Sequence, residues 1–491
     1  MGVRKAKVDN IHALQAISPI DGRYAQHTRP LAEYFSEFAL IRERVKIEVE
    51  YLISLEEVEQ ILFSLDEVQR KSLRAIARRF SVDDAATVSQ IEHSGTGKIG
   101  PTDHDVKAVE YYLRDQLSAV GLEKLHAWIH FALTSEDIDN LVYGRLILRA
   151  VRAVILPALF ELATRLIFLA REYKGLPMLG HTHGQPATPT TLGKEFSVYL
   201  LRLCHGFEEL VHQELPGKLG GAAGNLNAHY FAYPDVDWIK FSRRFVQRLG
   251  LVPSPVTTQV PANDELAGML TIVARVNNIL LDLAVDVWLY MALEYLRISY
   301  DKQAVGSSTM PHKVNPIDFE NSEGNLSKAN ADLYFLASYL TRSRLQRDLS
   351  GSTVRRTIGT ALAHSLLAYQ RLRVGLEKIS PNKERIASDL SHHFEVLAEA
   401  AQTAFRQTGI SDGFERVKEL IKGETIDQAE FAALIQQLGL EEDRLACLTP
   451  NSYIGYAQQL ADLAIERGER DLRRAEKNLA SQLAHQQEEE R

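Results

Sequence analysis

Apolar residues recur every three to four positions over long stretches of this chain, which is the spacing that places them on one face of an α-helix. The stretches 146–173, 190–214 and 264–298 show this pattern most clearly. The last of them is apolar around most of the helix circumference, so neighbouring helices must cover it, in a bundle core or in an oligomer interface. Pro157 interrupts the first stretch and predicts a kink or a break there.

Strand signals are sparse, because alternating runs separated by Asn-Gly or Asp-Gly turns do not occur in series. We therefore predict an all-α (mainly helical) fold in three domains. These are a mixed or helical N-terminal domain (1–121), a central long-helix bundle (122–366) and a smaller helical C-terminal domain (367–491). The charged tail from residue 466 is predicted to be a solvated, fraying helix.

Composition narrows the class of protein. Hydrophobic residues make up 45% and charged residues 24% of the 491 residues, which is typical of soluble globular domains. The net charge of −8 does not indicate a general nucleic-acid surface, so an anionic ligand must be met locally. Cys204 and Cys447 form no disulfide framework or zinc spacing, and residues 1–10 lack the apolar core of a signal peptide. We expect a cytoplasmic protein without membrane or nucleic-acid partners.

Glycine, proline and polar residues cluster in a few stretches between the predicted helices, at 93–105, 180–189, 217–225 and 306–316. Loops on a rigid scaffold are where function concentrates. The last stretch, GSSTMPHKVNP, combines two hydroxyls, a histidine, a lysine and an amide. A serine beside cationic Lys313 and backbone amides can have its alkoxide form stabilised, so it could act as a base.

This stretch resembles the signature loop of the fumarase/aspartase superfamily, Gly-Ser-Ser-x-Met-Pro-x-Lys-x-Asn. His312 at its variable position resembles the adenylosuccinate lyase family, although carboxymuconate cycloisomerases can also carry that histidine. Other segments resemble the same family in the same order: SPIDGRY (18–24), TDHDVKAVEYYL (102–113), HFALTSEDIDN (130–140), THGQPATP (182–189), TTQ (257–259), NPIDFENSEGN (315–325) and QRDLSGSTVRR (346–356). The resemblance extends to about residue 369.

The resemblance implies a β-elimination that releases fumarate from adenylosuccinate, giving AMP, and from the succinyl aminoimidazole carboxamide ribonucleotide of purine synthesis. Such chemistry needs a base for a carbon-bound proton, an acid for the leaving nitrogen and donors for the carboxylate. The family match selects Ser307 as the base, Ser308 as a substrate contact and His183 as the acid. The residues alone do not separate the adjacent serines, and His181 is the rival of His183.

Gly184 and Pro186 place this histidine pair at a predicted helix start. Carboxylate binding is assigned to Lys313 and Asn315, a point charge and an amide donor. The matched segments add the substrate contacts His104, Asp105, Gln259 and Asn321. Asp103 stands where the family pattern has Asn, and we predict no role for it or for the glycine-rich stretch 94–100.

Anion binding is also predicted for Thr134 and Ser135, at an expected helix N-terminus where free amides and the helix dipole favour negative charge. Acidic residues follow Ser135, so an ordinary helix cap has the same pattern. Phosphate binding suits arginine because of its forked donors. The residues matched to nucleotide-binding segments are Arg23, Tyr24, Arg347, Ser352, Thr353, Arg355 and Arg356.

Neither a P-loop nor a Gly-x-Gly-x-x-Gly fingerprint occurs, so we predict that the nucleotide is a substrate, and we expect no cofactor and no metal. Two alternatives remain. One is another lyase of the superfamily, such as argininosuccinate lyase, fumarase or a carboxymuconate cycloisomerase, and the other is a catalytically silent structural oligomer. The resemblance further implies a homotetramer whose active sites are shared between subunits.

Overall fold

The structure is a computed structural model that describes residues 11–61, 63–97, 99–299, 310, 313–423, 425–439 and 443–489. Helices carry most of this part of the chain, so the predicted all-α (mainly helical) class is confirmed. The first helices are α1 (Ile11–Gln15), α2 (Ala25–Phe35), α3 (Glu37–Leu55), α4 (Glu67–Arg78), α5 (Val82–His93) and α6 (Asp105–Ala119).

The middle of the chain contains the longest core helices. In order they are α7 (Ser135–Ala150), α8 (Leu156–Tyr173), α9 (Leu192–Val211), α10 (Asn227–Ala232), α11 (Trp238–Arg248), α12 (Asp264–Ala292), α13 (Ile317–Leu340) and α14 (Ser350–Arg355). The final helices are α15 (Ile358–Lys378), α16 (Lys383–His392), α17 (Ala398–Gln407), α18 (Gly413–Ile421), α19 (Gln428–Gln437), α20 (Asp443–Ala446) and α21 (Ala457–Glu489). Short 3₁₀ turns occupy Glu123–Trp128 and Phe394–Leu397.

Helices α12 and α13 lie antiparallel at the centre of the molecule. At one end Trp288 Nε1 donates to Glu320 Oε1 at 3.3 Å, and at the other Asn263 Nδ2 donates to the carbonyl oxygen of Leu340 at 3.0 Å. Helix α15 packs along α13, and α9 packs along α12. The apolar positions that the periodicity predicts therefore meet in one helical bundle.

The predicted interruption at Pro157 is one wide turn rather than a break. Helices α7 and α8 continue into each other through a π-helical turn at Val151–Ile155, immediately before the proline. Proline has no N–H to donate to the preceding turn, and a π turn is a known way for a helix to accommodate such an irregularity.

The strands in the described residues form two-stranded pairs. Strands β1 (Pro177–Thr182) and β2 (Gln185–Thr191) make an antiparallel hairpin. Strands β3 (Pro216–Gly217) and β4 (Val252–Pro253) are parallel, and β5 (Leu296–Ile298) pairs with β6 (Ile379–Pro381) antiparallel. The helix predicted to extend to residue 298 thus ends at Ala292.

The prediction that the tail is solvated and frayed is wrong. Helix α21 packs against α8 and α9 and buries Ile465, Leu472 and Leu479. The larger buried core extends from Ile20 to Leu479, and α15 continues through residue 366, where the sequence analysis placed a domain boundary. The three-domain division remains a prediction.

Two helical stretches, Ser135–Tyr173 and Asp264–Ala292, are long and apolar enough to cross a membrane by length and composition alone. In each, 56% of the tested window is buried inside the protein. Core helices of soluble proteins meet the same criterion, so length and composition do not distinguish the two cases.

A polar network lies inside the apolar bundle. Asn277 of α12 is fully buried and donates to Asn330 Oδ1 of α13 and to Ser365 Oγ of α15, both at 3.0 Å. Its own Oδ1 accepts from the Tyr369 hydroxyl at 2.5 Å. Because buried polar groups are costly when unpaired, this network favours one alignment of the three helices.

We predict that Asn277→Ala lowers the free energy of unfolding by about 3 kcal/mol, since it leaves buried donors and acceptors without partners. Thr271→Ala is the control: that residue is exposed on the same helix and its hydroxyl donates only to the Ala267 carbonyl oxygen of its own turn, so the change stays below about 1 kcal/mol. Denaturant unfolding measures both. Equal losses in the two variants would contradict the role of the network.

Candidate active site

The first turn of α7 is the centre of the candidate site. Thr134 caps the helix, and its N–H donates to Asp137 Oδ2 at 2.9 Å. Ser135 begins the helix, as predicted from the sequence, and Glu136 beside it is almost fully buried. Both the ordinary cap and the predicted anion-binding position are therefore present in the same turn.

Arg347 reaches this turn from the segment between α13 and α14. Its Nη1 donates to Gln259 Oε1 at 3.0 Å and lies 3.5 Å from Ser135 Oγ. Its Nη2 lies 3.4 Å from Ser352 Oγ and 3.3 Å from Glu136 Oε2. The structure thus brings together five residues from three separate sequence segments (130–140, 257–259 and 346–356). Four of the five residues, all but Glu136, are substrate-binding residues predicted from the sequence.

Arg355 is held differently from Arg347. Both of its terminal nitrogens bond to the Glu136 carboxylate, at 2.9 and 3.1 Å, and its guanidinium lies 4.5 Å from the ring centroid of Tyr143. Burial opposes its charge, yet Glu136 raises the pKa of Arg355 above its usual value. Both terminal nitrogens are thus bonded to Glu136, and the residue is only 7% exposed, at the edge of the cleft that it helps to line. The predicted contact of Arg355 with a phosphate remains a prediction.

A second group of ion pairs joins α3, α6 and α7. Asp105 bonds to Arg44 at 2.6 Å and to Arg356 at 3.2 Å, and Arg44 also bonds to Asp139 at 2.8 Å. Burial alone would raise the pKa of Asp105, but Arg44 and Arg356 lower it below its usual value. Asp105 is therefore an ionised carboxylate already occupied by arginines.

The remaining predicted residues of this region are exposed. His104 caps α6 through Nδ1, which accepts from the N–H of Lys107 at 3.3 Å. Arg356 is exposed and also bonds to Glu37 at 2.9 Å, and Thr353 is exposed on α14. His104 and Thr353 are therefore accessible to a ligand. His104 directly precedes the ion-paired Asp105, and Thr353 lies on α14 with Arg355.

Buried charges below α7 were missed by the sequence analysis. Asp137 pairs with the fully buried Lys218 at 2.7 Å and accepts from the N–H groups of Gly220 and Gly221. The only sign of this pair in the sequence was the glycine-rich stretch 217–225, which contains Lys218 and was predicted to be a polar loop. It forms the support beneath the first turn of α7.

His130 is a second residue that sequence reasoning did not assign. Its Nδ1 lies 2.5 Å from Glu48 Oε1, and its backbone has a φ of 54°. Burial alone would lower the pKa of His130, but Glu48, with smaller effects of Glu110 and Asp137, raises it above the usual value. The segment HFALTSED contained the residue, but its buried partner is 82 positions away.

An open cleft of about 480 Å³ adjoins the cluster. Its volume is in the range that holds a small-molecule ligand. Glu136 and Arg355, the buried ion pair of the cluster, both line the cleft. Its lining also includes Thr258, Asn263, Arg342 and Ser352. The arrangement offers an anionic ligand positive charge and polar donors at a helix N-terminus.

Other predicted substrate contacts lie elsewhere in the chain. The Tyr24 hydroxyl accepts from Asn321 Nδ2 at 3.4 Å, and Arg23 is exposed beside that ring. Lys313 is exposed and Asn315 is half-buried, both just before α13. Among the described residues these side chains make no contact with the Arg347 cluster.

The histidine pair does not begin a helix, so that prediction is wrong. His183 and Gly184 are the two central residues of the β1–β2 hairpin turn, with φ values of 54° and 73°. Positive φ at both positions defines a type I′ turn, which matches the twist of a hairpin and usually carries Gly second. His183 is exposed at the tip, whereas the half-buried His181 ring packs 5.9 Å from the Tyr295 ring.

The candidate acid and the arginine cluster are far apart within one chain. Gln259 lies just before the start of α12, and Tyr295, which contacts His181, lies just after its end. A helix of 29 residues is about 43 Å long. Ser307, Ser308 and His312 lie outside the described residues, so the structure makes no statement about the predicted base.

Among the described residues, no group of three or more His, Cys, Asp or Glu side chains is arranged to hold a metal ion.

The chain matches two family models. One is described as a lyase family and covers residues 22–330, and the other is described as the adenylosuccinate lyase C-terminal domain and covers residues 343–454. Among solved structures, a fumarate lyase from Mesorhizobium sp. BNC1 superposes with a TM-score of 0.70 at 19% identity, covering 89% of this chain and 97% of that one. A 3-carboxy-cis,cis-muconate lactonizing enzyme from Pseudomonas putida gives 0.69 at 21% identity, with 90% and 97% covered. These structures show the same helical fold, and the lyase family model, which covers more than half of the chain, identifies its class as a lyase.

Curated relatives narrow the class. Adenylosuccinate lyase of Legionella pneumophila (strain Corby) is 44% identical over 454 residues, which are 91% of this chain and 98% of that protein. The enzyme of Escherichia coli (strain K12) is 43% identical, with 92% and 99% covered, and that of Dictyostelium discoideum is 42% identical, with 91% and 97% covered. The chain belongs to the adenylosuccinate lyase family of the fumarase/aspartase superfamily.

We predict that His130→Gln destabilises the protein by about 1–3 kcal/mol at pH 6 and by less at pH 9. The pKa of His130 is raised in the folded state, so its charge stabilises the fold fully below the unfolded pKa of about 6.5, and this contribution is lost as the pH rises through the folded pKa. Unfolding of both proteins across this range measures the difference. A difference independent of pH would contradict an ionic His130–Glu48 pair.

Proposed function

We propose that this chain is a lyase that eliminates fumarate from adenylosuccinate, giving AMP, and from the succinyl aminoimidazole carboxamide ribonucleotide. The observation that carries the proposal is the arginine cluster at the first turn of α7, where Arg347 contacts Ser135 and Gln259. Its neighbours Glu136, Ser352 and Arg355 line an open cleft. The identity to curated adenylosuccinate lyases over nearly the whole chain supports the choice of substrate. Both substrates carry a phosphate and two carboxylates, which suits such a cluster.

The proposed roles follow from the chemistry of the elimination. Ser307 removes the carbon-bound proton next to a carboxylate, and His183 gives a proton to the leaving nitrogen. Lys313 and Asn315, with Ser308 and Thr134, hold the carboxylate on which charge accumulates. Arg23, Tyr24 and Arg347 bind the phosphate. The exposed position of His183 at a hairpin tip leaves its ring accessible to a substrate.

We further propose that each active site is assembled from more than one subunit of a homotetramer. Within one chain the hairpin of His183 and the cluster of Arg347 lie near opposite ends of α12, a helix about 43 Å long. A second copy that lies antiparallel along the bundle brings its hairpin to the cluster of the first. Exposed apolar side chains on α12 and α13, among them Trp288, Leu289, Tyr334 and Phe335, support such helix contacts.

We expect the enzyme to act in the cytoplasm without cofactor, metal, nucleic-acid or membrane partner. The net charge of −8 and the free cysteines Cys204 and Cys447 support this expectation.

The proposed activity is tested by incubating the purified protein with adenylosuccinate and measuring fumarate and AMP. We predict release of both, and an unchanged rate in the presence of a chelator. Argininosuccinate serves as the control substrate and should not be cleaved. Cleavage of argininosuccinate with no reaction of adenylosuccinate would assign the chain to another lyase of the superfamily.

Complementation tests the shared site. His183→Ala and Ser307→Ala should each lose activity by several orders of magnitude with nearly unchanged thermal stability, since His183 is exposed and the matched loop is polar. Dissociating the two variants, mixing them and reassembling them should restore part of the activity, because some sites then combine an intact histidine with an intact serine. A reassembled mixed oligomer without activity would contradict site sharing, and an active monomer would contradict the oligomer.

A further inference from the structure

We propose that Glu136 is a positioning residue that holds the Arg347 guanidinium in the orientation that binds the anionic group of the substrate. This inference rests on the proposed function and adds to it a residue that touches no substrate. From the sequence alone, the acidic residues after Ser135 indicate only an ordinary helix cap. In the structure Glu136 instead joins the two arginines of the site.

The geometry of Arg347 shows why it needs an anchor. Its side chain is long and 19% exposed, and its neutral partners Ser135 and Ser352 lie at 3.5 and 3.4 Å, near the limit for hydrogen bonds. Gln259, which lies on a loop, accepts from Arg347 Nη1 at 3.0 Å. Among these contacts Glu136 supplies the buried charge, at 3.3 Å from Nη2. A charged partner orients a guanidinium more strongly than neutral ones.

Glu136 is itself fixed from the opposite side. Arg355 holds both carboxylate oxygens, and Arg355 is in turn buried against the Tyr143 ring. The Glu136 side chain is 1% exposed, so water does not compete for it. The position of Arg347 is therefore coupled through one carboxylate to the packed interior of α7 and α14.

The charges of the three groups also match an anion site. One carboxylate between two guanidinium groups leaves an excess of one positive charge beside the cleft. The Arg347 side chain is 19% exposed against 8% for Arg355, and its contacts with Ser135 and Ser352 lie at 3.5 and 3.4 Å, so a ligand can replace these two contacts. This asymmetry assigns support to one arginine and binding to the other.

The test uses the full-length protein, with adenylosuccinate as the substrate and inorganic phosphate as a probe of the anion site. We expect Glu136→Gln to raise KM for adenylosuccinate and the dissociation constant for phosphate about tenfold or more, with a smaller change in kcat. In an Arg347→Ala background the same substitution should change KM less than about twofold, because the residue through which it acts is gone. Unchanged KM in Glu136→Gln, or a tenfold rise that persists without Arg347, would overturn the proposal.

Two further variants separate positioning from folding. Glu43→Gln is the matched control, because Glu43 of α3 is also a buried carboxylate between two arginines, bonded to Arg145 at 2.6 Å and 3.7 Å from Arg149, but these arginines lie farther along α7, away from Arg347. It should lower stability and leave KM unchanged, and an equal KM rise there would refute a specific role of Glu136. If Glu136→Gln does not fold, Glu136→Gln combined with Arg355→Met removes the buried pair together, and the same KM rise is expected.

Phosphate binding distinguishes failure of this inference from failure of the proposed function. If the wild-type protein does not cleave adenylosuccinate but binds phosphate, the function is wrong, and weaker phosphate binding in Glu136→Gln still supports the positioning role. If the wild-type protein cleaves adenylosuccinate and Glu136→Gln does so with the same KM, the function stands and the positioning role is wrong. A wild-type protein that binds neither would overturn both.

Discussion

The length of α12 is the constraint on which the rest of this molecule depends. Its 29 residues form a helix about 43 Å long. Gln259 lies just before its start, and Tyr295, which contacts the hairpin that carries His183, lies just after its end. The antiparallel partner α13 runs along it in the opposite direction for 24 residues, so the predicted site residues are distributed over two ends of one bundle. A rigid helix of this length cannot bend to close that gap. We therefore infer that function depends on assembly.

At the α7 end the site is organised by buried charge rather than by apolar packing. Glu136, Asp137 and Asp139 are buried within one and a half turns, and each has a basic partner from a distant segment. Breaking one partner of such a pair is costly, because it leaves an uncompensated charge in the interior. The pairs consequently hold α3, α7 and α14 in one arrangement, and the Glu136–Arg355 pair lines a cleft beside Arg347's partner Ser352.

Local pattern predicted the helices well, because their apolar spacing is a property of consecutive residues. The stretch 264–298 is the clearest case, apart from its last few residues, which turn into a strand. The turn at His183 was missed, since the usual hairpin signal is Asn-Gly or Asp-Gly and this chain has His-Gly. The pairing of Arg355 with Glu136 spans 219 positions and leaves no local trace, so the sequence showed Arg355 as a candidate ligand and did not show its buried partner.

The central claim is that Arg347 and His183 of different subunits serve the same substrate. A crystal structure of the oligomer with bound AMP tests it most directly. We predict that the phosphate contacts Arg347 of one subunit while the hairpin tip with His183 of another subunit lies beside the purine amino group. A nucleotide bound with both residues from one chain, or with its phosphate away from Arg347, would contradict the account.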